Sequence, residues 1–204
     1  MNLFITGIGT NVGKTVVSAF LTEALQADYW KPIQSGVVEG KDSDTVKSLI
    51  TNTKSIFHPE TYLLKESLYP HFAAKLDGVE IELDKIKSQF LNLSLSLRAE
   101  LRSKAQHLII EGAGGLLVPI NDTHYVIDIA KQFDCEIILV ISNYLGCINH
   151  SLLSIDYLLR NQFKLKALVF NGTFESEVKQ AITNYVKNTL IIDVPQLDEL
   201  SKST

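Results

Sequence analysis

Five apolar runs recur along the chain, each continuous over four to seven residues: "NLFIT" (Asn2–Thr6), "LIIE" (Leu108–Glu111), "EIILVIS" (Glu136–Ser142), "KALVFN" (Lys166–Asn171) and "TLIID" (Thr189–Asp193). Successive strand residues point to opposite faces, so strands of this kind need cover on both. Helical stripes lie between them. Val17, Phe20 or Leu21, and Leu25 form one, and Ile86, Phe90, Leu93, Leu97 and Leu101 form another. Ile148, Leu152, Ile155 and Leu159 mark a third, and Val178, Ile182 and Tyr185 a fourth. Strand and helix in alternation predict an α/β fold, a mostly parallel sheet with helices on both faces. "DYWK" (Asp28–Lys31) is a shorter candidate strand, and Ser35 to Leu83 reads as mostly loop.

A chain of 204 residues with 46% hydrophobic and 21% charged residues suits one core, so a single domain spanning 1–204 is expected. A net charge of −4 supplies no basic field for a phosphodiester backbone, which argues against nucleic acid and for small-molecule ligands. The longest apolar run, Ile137 to Ile141, is too short to cross a bilayer, so no membrane partner is expected. "MNLFITG" lacks the basic start of a secretion signal, and a cytoplasmic location is expected. Cys135 and Cys147 show no metal or redox spacing, and neither do the five histidines.

The first apolar run feeds "GIGTNVGKT" (Gly7–Thr15) and then a helical stripe. This is a phosphate loop with altered spacing: Ile8 stands five residues before Gly13, where the usual pattern has glycine, with Gly7 and Gly9 on either side. Such glycines let backbone N–H groups close on phosphate oxygens, and the helix that follows presents its positive end to the anion. The loop and first helical turn (Gly9, Thr10, Asn11, Val12, Gly13, Lys14, Thr15 and Val16) are the candidate ATP-binding residues, within a single-domain P-loop NTPase-like fold. Lys14 would charge-pair the terminal phosphates and Thr15 offer its hydroxyl to Mg2+. The bland alternative is a tight turn with a surface lysine.

A magnesium site also needs acids. Glu111 closes an apolar strand immediately before a glycine turn, the position expected of a metal-linked acid rather than a cap. Asp44 in "KDSDTV" is the second candidate ligand; the plain alternative is a helix start there, with Asp42 or Ser43 as its cap. Lys31 stands before Pro32, which disfavours helix and projects the segment as a loop over the sheet edge, where a solvated lysine is the plain reading. Asn171 ends its strand with an amide able to give and accept one hydrogen bond, as an adenine edge requires, or else caps the helix of "FESEVKQ".

"TGIGTNVGKT", "WKPIQSG", "EGAGG" and "LGCINH" occur in this order and at these separations. The chain thereby resembles the dethiobiotin synthetase family from Asn2 to about Leu197, and that family's phosphate loop carries the same extra residue between its glycines. The resemblance implies an ATP- and Mg2+-dependent ligase of biotin synthesis that closes 7,8-diaminononanoate and CO2 into a cyclic urea, through a carbamate and a carbamic–phosphoric anhydride. It implies a catalytic set of Lys31, Lys14, Thr10 and Ser35, with Lys31, Ser35 and Gly112 beside the substrate. Gly146, Cys147, Ile148 and Asn149 would bind the substrate carboxylate at a helix start, across a homodimer interface. Asn171 would read the base and Pro195, in "VPQL", pass its other side. Cys147 as a nucleophile lacks a base and His150 reads as structural.

This chain has Asn11 where some members of that family have an acid, Tyr144 where a lysine is frequent, and "YPH" (Tyr69–His71) for "SPH". It ends soon after "VPQLDEL", from which looser base selectivity is expected. Competing classes are weaker. A partition or cell-division switch ATPase carries a signature lysine where Gly9 stands, and a cobyrinate-type amide synthetase needs an ammonia source beyond this length. A small-molecule kinase shares the loop and the acids.

Overall fold

The computed structural model describes residues 1–100 and 107–195, the side chains of 94–100 excepted. The chain begins with β1 (Asn2–Gly7), α1 (Lys14–Leu25) and β2 (Asp28–Trp30). A run of short elements follows: β3 (Ile33–Ser35), α2 (Asp42–Leu49), β4 (Phe57–His58), β5 (Tyr62–Leu64) and α3 (Pro70–Leu76). Then come α4 (Leu83–Glu100), β6 (Leu108–Gly115), α5 (Val126–Gln132), β7 (Glu136–Ser142) and α6 (Cys147–Arg160). β8 (Lys164–Asn171), α7 (Ser176–Thr183) and β9 (Leu190–Val194) complete the described fold.

Seven strands form one parallel sheet in the order β4-β2-β6-β1-β7-β8-β9, while β3 and β5 pair as a separate parallel ribbon. In β7 the five residues Ile137 to Ile141 are all buried, so both faces of the sheet are covered, as the continuous apolar runs require. α1 packs on β1, β2 and β6, α5 on β6, and α6 on β7 and β8. The chain winds outward to β4, returns to β6 and then crosses to β7, so the strand order reverses about β1. That is where an open parallel sheet gathers ligands, beyond the carboxyl ends of its strands.

Register then decides which residues meet there. Trp30 lies beside Ile110, and Ile5 beside Glu111. Lys31, just past β2, and Glu111, inside β6, therefore stand at one level, two residues below the start of the phosphate loop; β6 runs on to Gly115, so the glycine turn expected after Glu111 is strand. Lys31 is 5% exposed, and β2 lies between β4 and β6, so the expected loop over a sheet edge is in fact an interior position. Trp30 anchors it: the ring is fully buried, donates from Nε1 to the Pro59 carbonyl at 3.1 Å, and packs near Phe90 and Phe133, which stack at 3.9 Å.

Three expectations change. The stretch from Ser35 to Leu83 holds β3, α2, β4, β5 and α3 rather than mostly loop; elements of two to eight residues are too short to display a period. α5 is an unanticipated helix, started by Asp128, whose carboxylate accepts the Tyr125 N–H at 2.8 Å. Phe20 is 55% exposed, so Leu21 alone holds that place in the α1 stripe. Leu101 and Leu197, and the side chain of Leu97, fall outside the described residues.

α1 is tied to the chain beyond α2 by Glu23. Its carboxylate accepts from the backbone N–H and hydroxyl of Thr51 and from the backbone and side-chain amides of Asn52, at 2.6–3.0 Å. These bonds, the Thr51 hydroxyl foremost, hold its pKa down to about 2 from 4.5. Glu23→Gln is expected to lower the Tm by roughly 2–4 °C at pH 7. A depressed carboxyl stabilises above its unfolded value and ceases to do so as pH falls, so the difference from wild type should close between about pH 4.5 and pH 2, as thermal scans would show.

Candidate active site

The phosphate loop is shaped by close approaches that exclude side chains. A Cβ at Gly7 would sit 2.4 Å from Val12 Cγ2, because Val12 tucks beneath the loop and is buried. Gly13 has φ 93°, and a Cβ there would lie 2.0 Å from the Asn171 amide nitrogen. That nitrogen donates to the Val12 carbonyl at 3.0 Å, so the end of β8 clasps the loop. Gly9 faces open space. Lys14 folds back to donate to the Gly9 carbonyl at 3.0 Å, and no side chain caps the start of α1, which leaves its first-turn N–H groups for an anion.

Below the loop lies an ionic cluster. Lys31 Nζ donates to Asp42 and, at 2.9 Å, to Glu111 Oε1. The Thr15 hydroxyl donates to the same Oε1 at 3.1 Å, and the Tyr29 phenol to Oε2 at 2.9 Å. Asp42 is placed by its own backbone N–H, which donates to Gln34 Oε1 at 3.0 Å, while Gln34 Nε2 donates to the Ser35 carbonyl at 2.8 Å. α2 thus begins where β3 can fix it.

Burial alone would strip Lys31 of its proton, but Glu111 and Asp42 outweigh it and raise its pKa above 10.5. Burial likewise pushes Asp42 upward, and the charge of Lys31 with its hydrogen bond brings it below 3.8. Lys14 differs. Burial, and then the charge of Lys31, lower its pKa to about 8, with Glu111 and Asp42 compensating only in part.

A cavity of about 800 Å3 joins these groups, lined by Thr10, Asn11, Gly13, Lys14, Thr15, Lys31, Ser35, Asp42 and Glu111 among others. The Ser35 hydroxyl is buried without a hydrogen-bond partner, a free donor at the wall. A second, mostly apolar cavity of about 540 Å3 adjoins it, sharing Thr10, Tyr69 and Val118 and bounded by Leu117, Leu153 and Tyr157.

Several expected residues are placed otherwise. Asp44 is turned out, its side chain 69% exposed and 4.0 Å from Lys41, while Asp42 occupies the cluster. Residues two apart on a helix lie on opposite sides, so only one of them can face the cavity. Gly112 lines neither cavity; a Cβ there would meet Phe4 and Val126 at 3.0 Å, and Ala113 and Gly114 face the site instead. Gly146, Cys147, Ile148 and Asn149 line neither cavity, although Gly146, at φ 108°, starts α6 without a side-chain cap. Asn171 does not cap α7, whose N-cap is Glu175, and its amide donor is engaged with the loop. Val16 is half-buried in the first turn of α1, and Pro195 is exposed just beyond β9. Tyr29 and Gln34 were not anticipated, because an aromatic and an amide inside short strands read as packing.

A family model described as "AAA domain" matches residues 1–204. Among curated relatives, the ATP-dependent dethiobiotin synthetase BioD of Cytophaga hutchinsonii is 45% identical over 98% of this chain and 90% of its own length. The protein of the same name from Lawsonia intracellularis is 40% identical over 100% of this chain and 92% of its own. Among solved structures, a ParA family ATPase from Chlorobium tepidum TLS superposes with a TM-score of 0.55 over 96% of this chain and 84% of that one. At 11% identity that likeness speaks to the fold alone.

The depressed Lys14 carries a signature. A bound polyphosphate favours the ammonium form, so anion binding above about pH 8 should take up a proton that binding at pH 6.5 does not. The second ionisation of a phosphate, near pH 6, lies below that window. Calorimetric titration of nucleotide at pH 9 in two buffers of different ionisation heat is expected to report an uptake approaching one proton, abolished by Lys14→Met.

Proposed function

The chain belongs to the dethiobiotin synthetase family, and on that premise we propose how its cavity performs the family's reaction: ATP-dependent closure of 7,8-diaminononanoate and CO2 to dethiobiotin, a ligase step of biotin synthesis. The observation that carries this reading is Lys31. Buried, charged and held at the floor of the phosphate-loop cavity, it is a cation aimed at the space where two anions must meet.

Thr15, Asp42 and Glu111 Oε1 are hard oxygen donors in that cavity. Among the described residues no three His, Cys, Asp or Glu side chains gather as a metal cage. Two carboxylates and a hydroxyl fit magnesium, which keeps water and phosphate oxygens in its shell. Bound there, magnesium would neutralise charge on the terminal phosphates.

In the reaction, one amine of the substrate adds to CO2 and loses a proton, giving a carbamate. A carbamate oxygen attacks the γ-phosphorus, the bond to ADP breaks, and a carbamic–phosphoric anhydride forms. The second amine adds to its carbonyl carbon, phosphate leaves with the bonding pair, the nitrogen gives up a proton to the departing phosphate or to water, and the cyclic urea closes. Carbamate and γ-phosphate are both negative, so their approach needs preset positive charge in a site with little water. Lys14 from the loop and Lys31 from the end of β2 supply it from two sides. Thr10, at the junction of the two cavities, and the unpartnered Ser35 hydroxyl are placed to orient the carbamate. Asn171 holds the loop through its bond to the Val12 carbonyl, and its amide oxygen and Pro195 would meet the base of the nucleotide.

The substrate's carboxylate end reaches a second copy of the chain. Gly146 to Asn149 lie off the cavity of their own protomer; next to them Leu145 is fully exposed, and Leu153 and Tyr69, each 61% exposed, line the apolar cavity. A homodimer that covers this surface brings the start of one α6 to the apolar cavity of its partner.

Incubation of the protein with Mg-ATP, bicarbonate and 7,8-diaminononanoate is expected to yield the cyclic urea by mass spectrometry. ATP consumption without it would point to a kinase. Lys31→Ala should lower kcat by on the order of 10²–10³ while ADP affinity stays near wild type. A wild-type rate would remove Lys31 from the chemistry. Asp42→Asn should lose magnesium-dependent turnover, and Asp44→Asn should stay within about twofold of wild type, as befits an exposed side chain.

A further inference from the structure

On the magnesium reading above, we propose that Tyr29 is a positioning residue that leaves Glu111 a single cation-facing oxygen and so tunes the site to magnesium over calcium. Glu111 is 1% exposed and its two oxygens have different company. Oε1 receives Thr15 and Lys31, which both line the cavity. Oε2 receives only the Tyr29 phenol at 2.9 Å, and Tyr29, fully buried, lines no cavity. The carboxylate is thereby held edge-on, one oxygen toward the ligand space and the other toward the sheet.

The ring that does this is fixed. β2 sets Tyr29 beside Ile109 of β6, two residues before Glu111, and the ring lies 5.5 Å from Phe57. The phenol has an O–H to give and, among the described residues, reaches no other acceptor, so it donates to Oε2. Magnesium accepts near-octahedral ligation by single carboxylate oxygens, whereas calcium takes six to eight oxygens and favours carboxylates that offer both. A Glu111 whose Oε1 shares its partners with the cavity wall, and whose Oε2 is bonded to a ring that lines no cavity, offers one oxygen, which meets the first demand and denies the second. The rest of the described site has no other use for the Tyr29 hydroxyl.

Tyr29→Phe removes one oxygen atom and keeps the ring packing. The test is calorimetric titration of the full chain, wild type and variant, with a non-hydrolysable ATP analogue in EDTA, in excess Mg2+ and in excess Ca2+, alongside thermal scans. The expected result is a metal-free affinity within twofold of wild type and roughly a tenfold loss of the tightening by Mg2+. Ca2+ should lose less, so the preference for Mg2+ narrows. Equal weakening in all three conditions, or an unchanged Mg2+ to Ca2+ ratio with only a lower Tm, would reduce Tyr29 to a packing residue and overturn the proposal. Wild-type binding indifferent to either cation would overturn it together with the metal assignment. None of these readouts needs turnover, so failure of the ring-closure reading is a separate observation.

Discussion

A lysine shut in with two carboxylates governs this molecule. Lys31 is buried, and an ammonium in such a place loses its hydration entirely unless fixed partners replace it. Glu111 and Asp42 replace it, and each arrives by a different route: Glu111 through the register of β6 against β2, Asp42 through an α2 start pinned by Gln34. Removing one partner from a buried pair such as Lys31–Glu111 costs about 3–5 kcal/mol, and Asp42, a third exposed, adds less, so the register of β2 against β6 is held by the charges themselves. The same arrangement keeps a permanent cation in a cleft that would otherwise favour its neutral form.

The contrast between Lys31 and Lys14 shows how one cavity gives two lysines different characters. Both are buried, yet Lys31 has carboxylates within hydrogen-bond reach and Lys14 has a backbone carbonyl. The first is charged before any ligand arrives; the second has a pKa of about 8 and completes its charge when phosphate oxygens approach. The fold itself does not dictate this. A ParA family ATPase shares the architecture at 11% identity, and the family assignment rests on relatives 40–45% identical across nearly the whole chain. Function resides in what stands at the strand ends.

Much of this was legible in the residues. The five apolar runs all became strands of one sheet; continuous burial explains the inner ones, while β9, at the edge, buries only Val194. The loop glycines could be read because their chemistry and their place after β1 agree, whereas Glu111 stood out as an acid at the end of an apolar run, although β6 continues past it to Gly115. Lys31 was legible only through the resemblance: periodicity alone left it a surface side chain, and the interior place of β2 is a long-range fact of pairing. The sequence favoured Asp44 as ligand and Asp42 or Ser43 as cap, but Lys41 is the N-cap and Asp42 faces the cluster, because which face α2 turns inward depends on Gln34, eight residues earlier. Tyr29 could not be read at all, since a buried tyrosine in a strand has the same appearance whether its hydroxyl meets a carboxylate or a neighbouring carbonyl.

Strand register carries a last consequence, for how such a chain can change length. Lys31 and Glu111 meet because β2 and β6 run side by side without a slip from Asp28 and Leu108 onward. One residue gained or lost inside either strand would turn every following side chain to the opposite face and carry the ammonium away from its acid. Register binds the ribbon too, because β3 carries the Gln34 that fixes Asp42 and pairs with β5, so a change of length belongs in an exposed turn such as residues 78–80 and not in the strands that aim the charges.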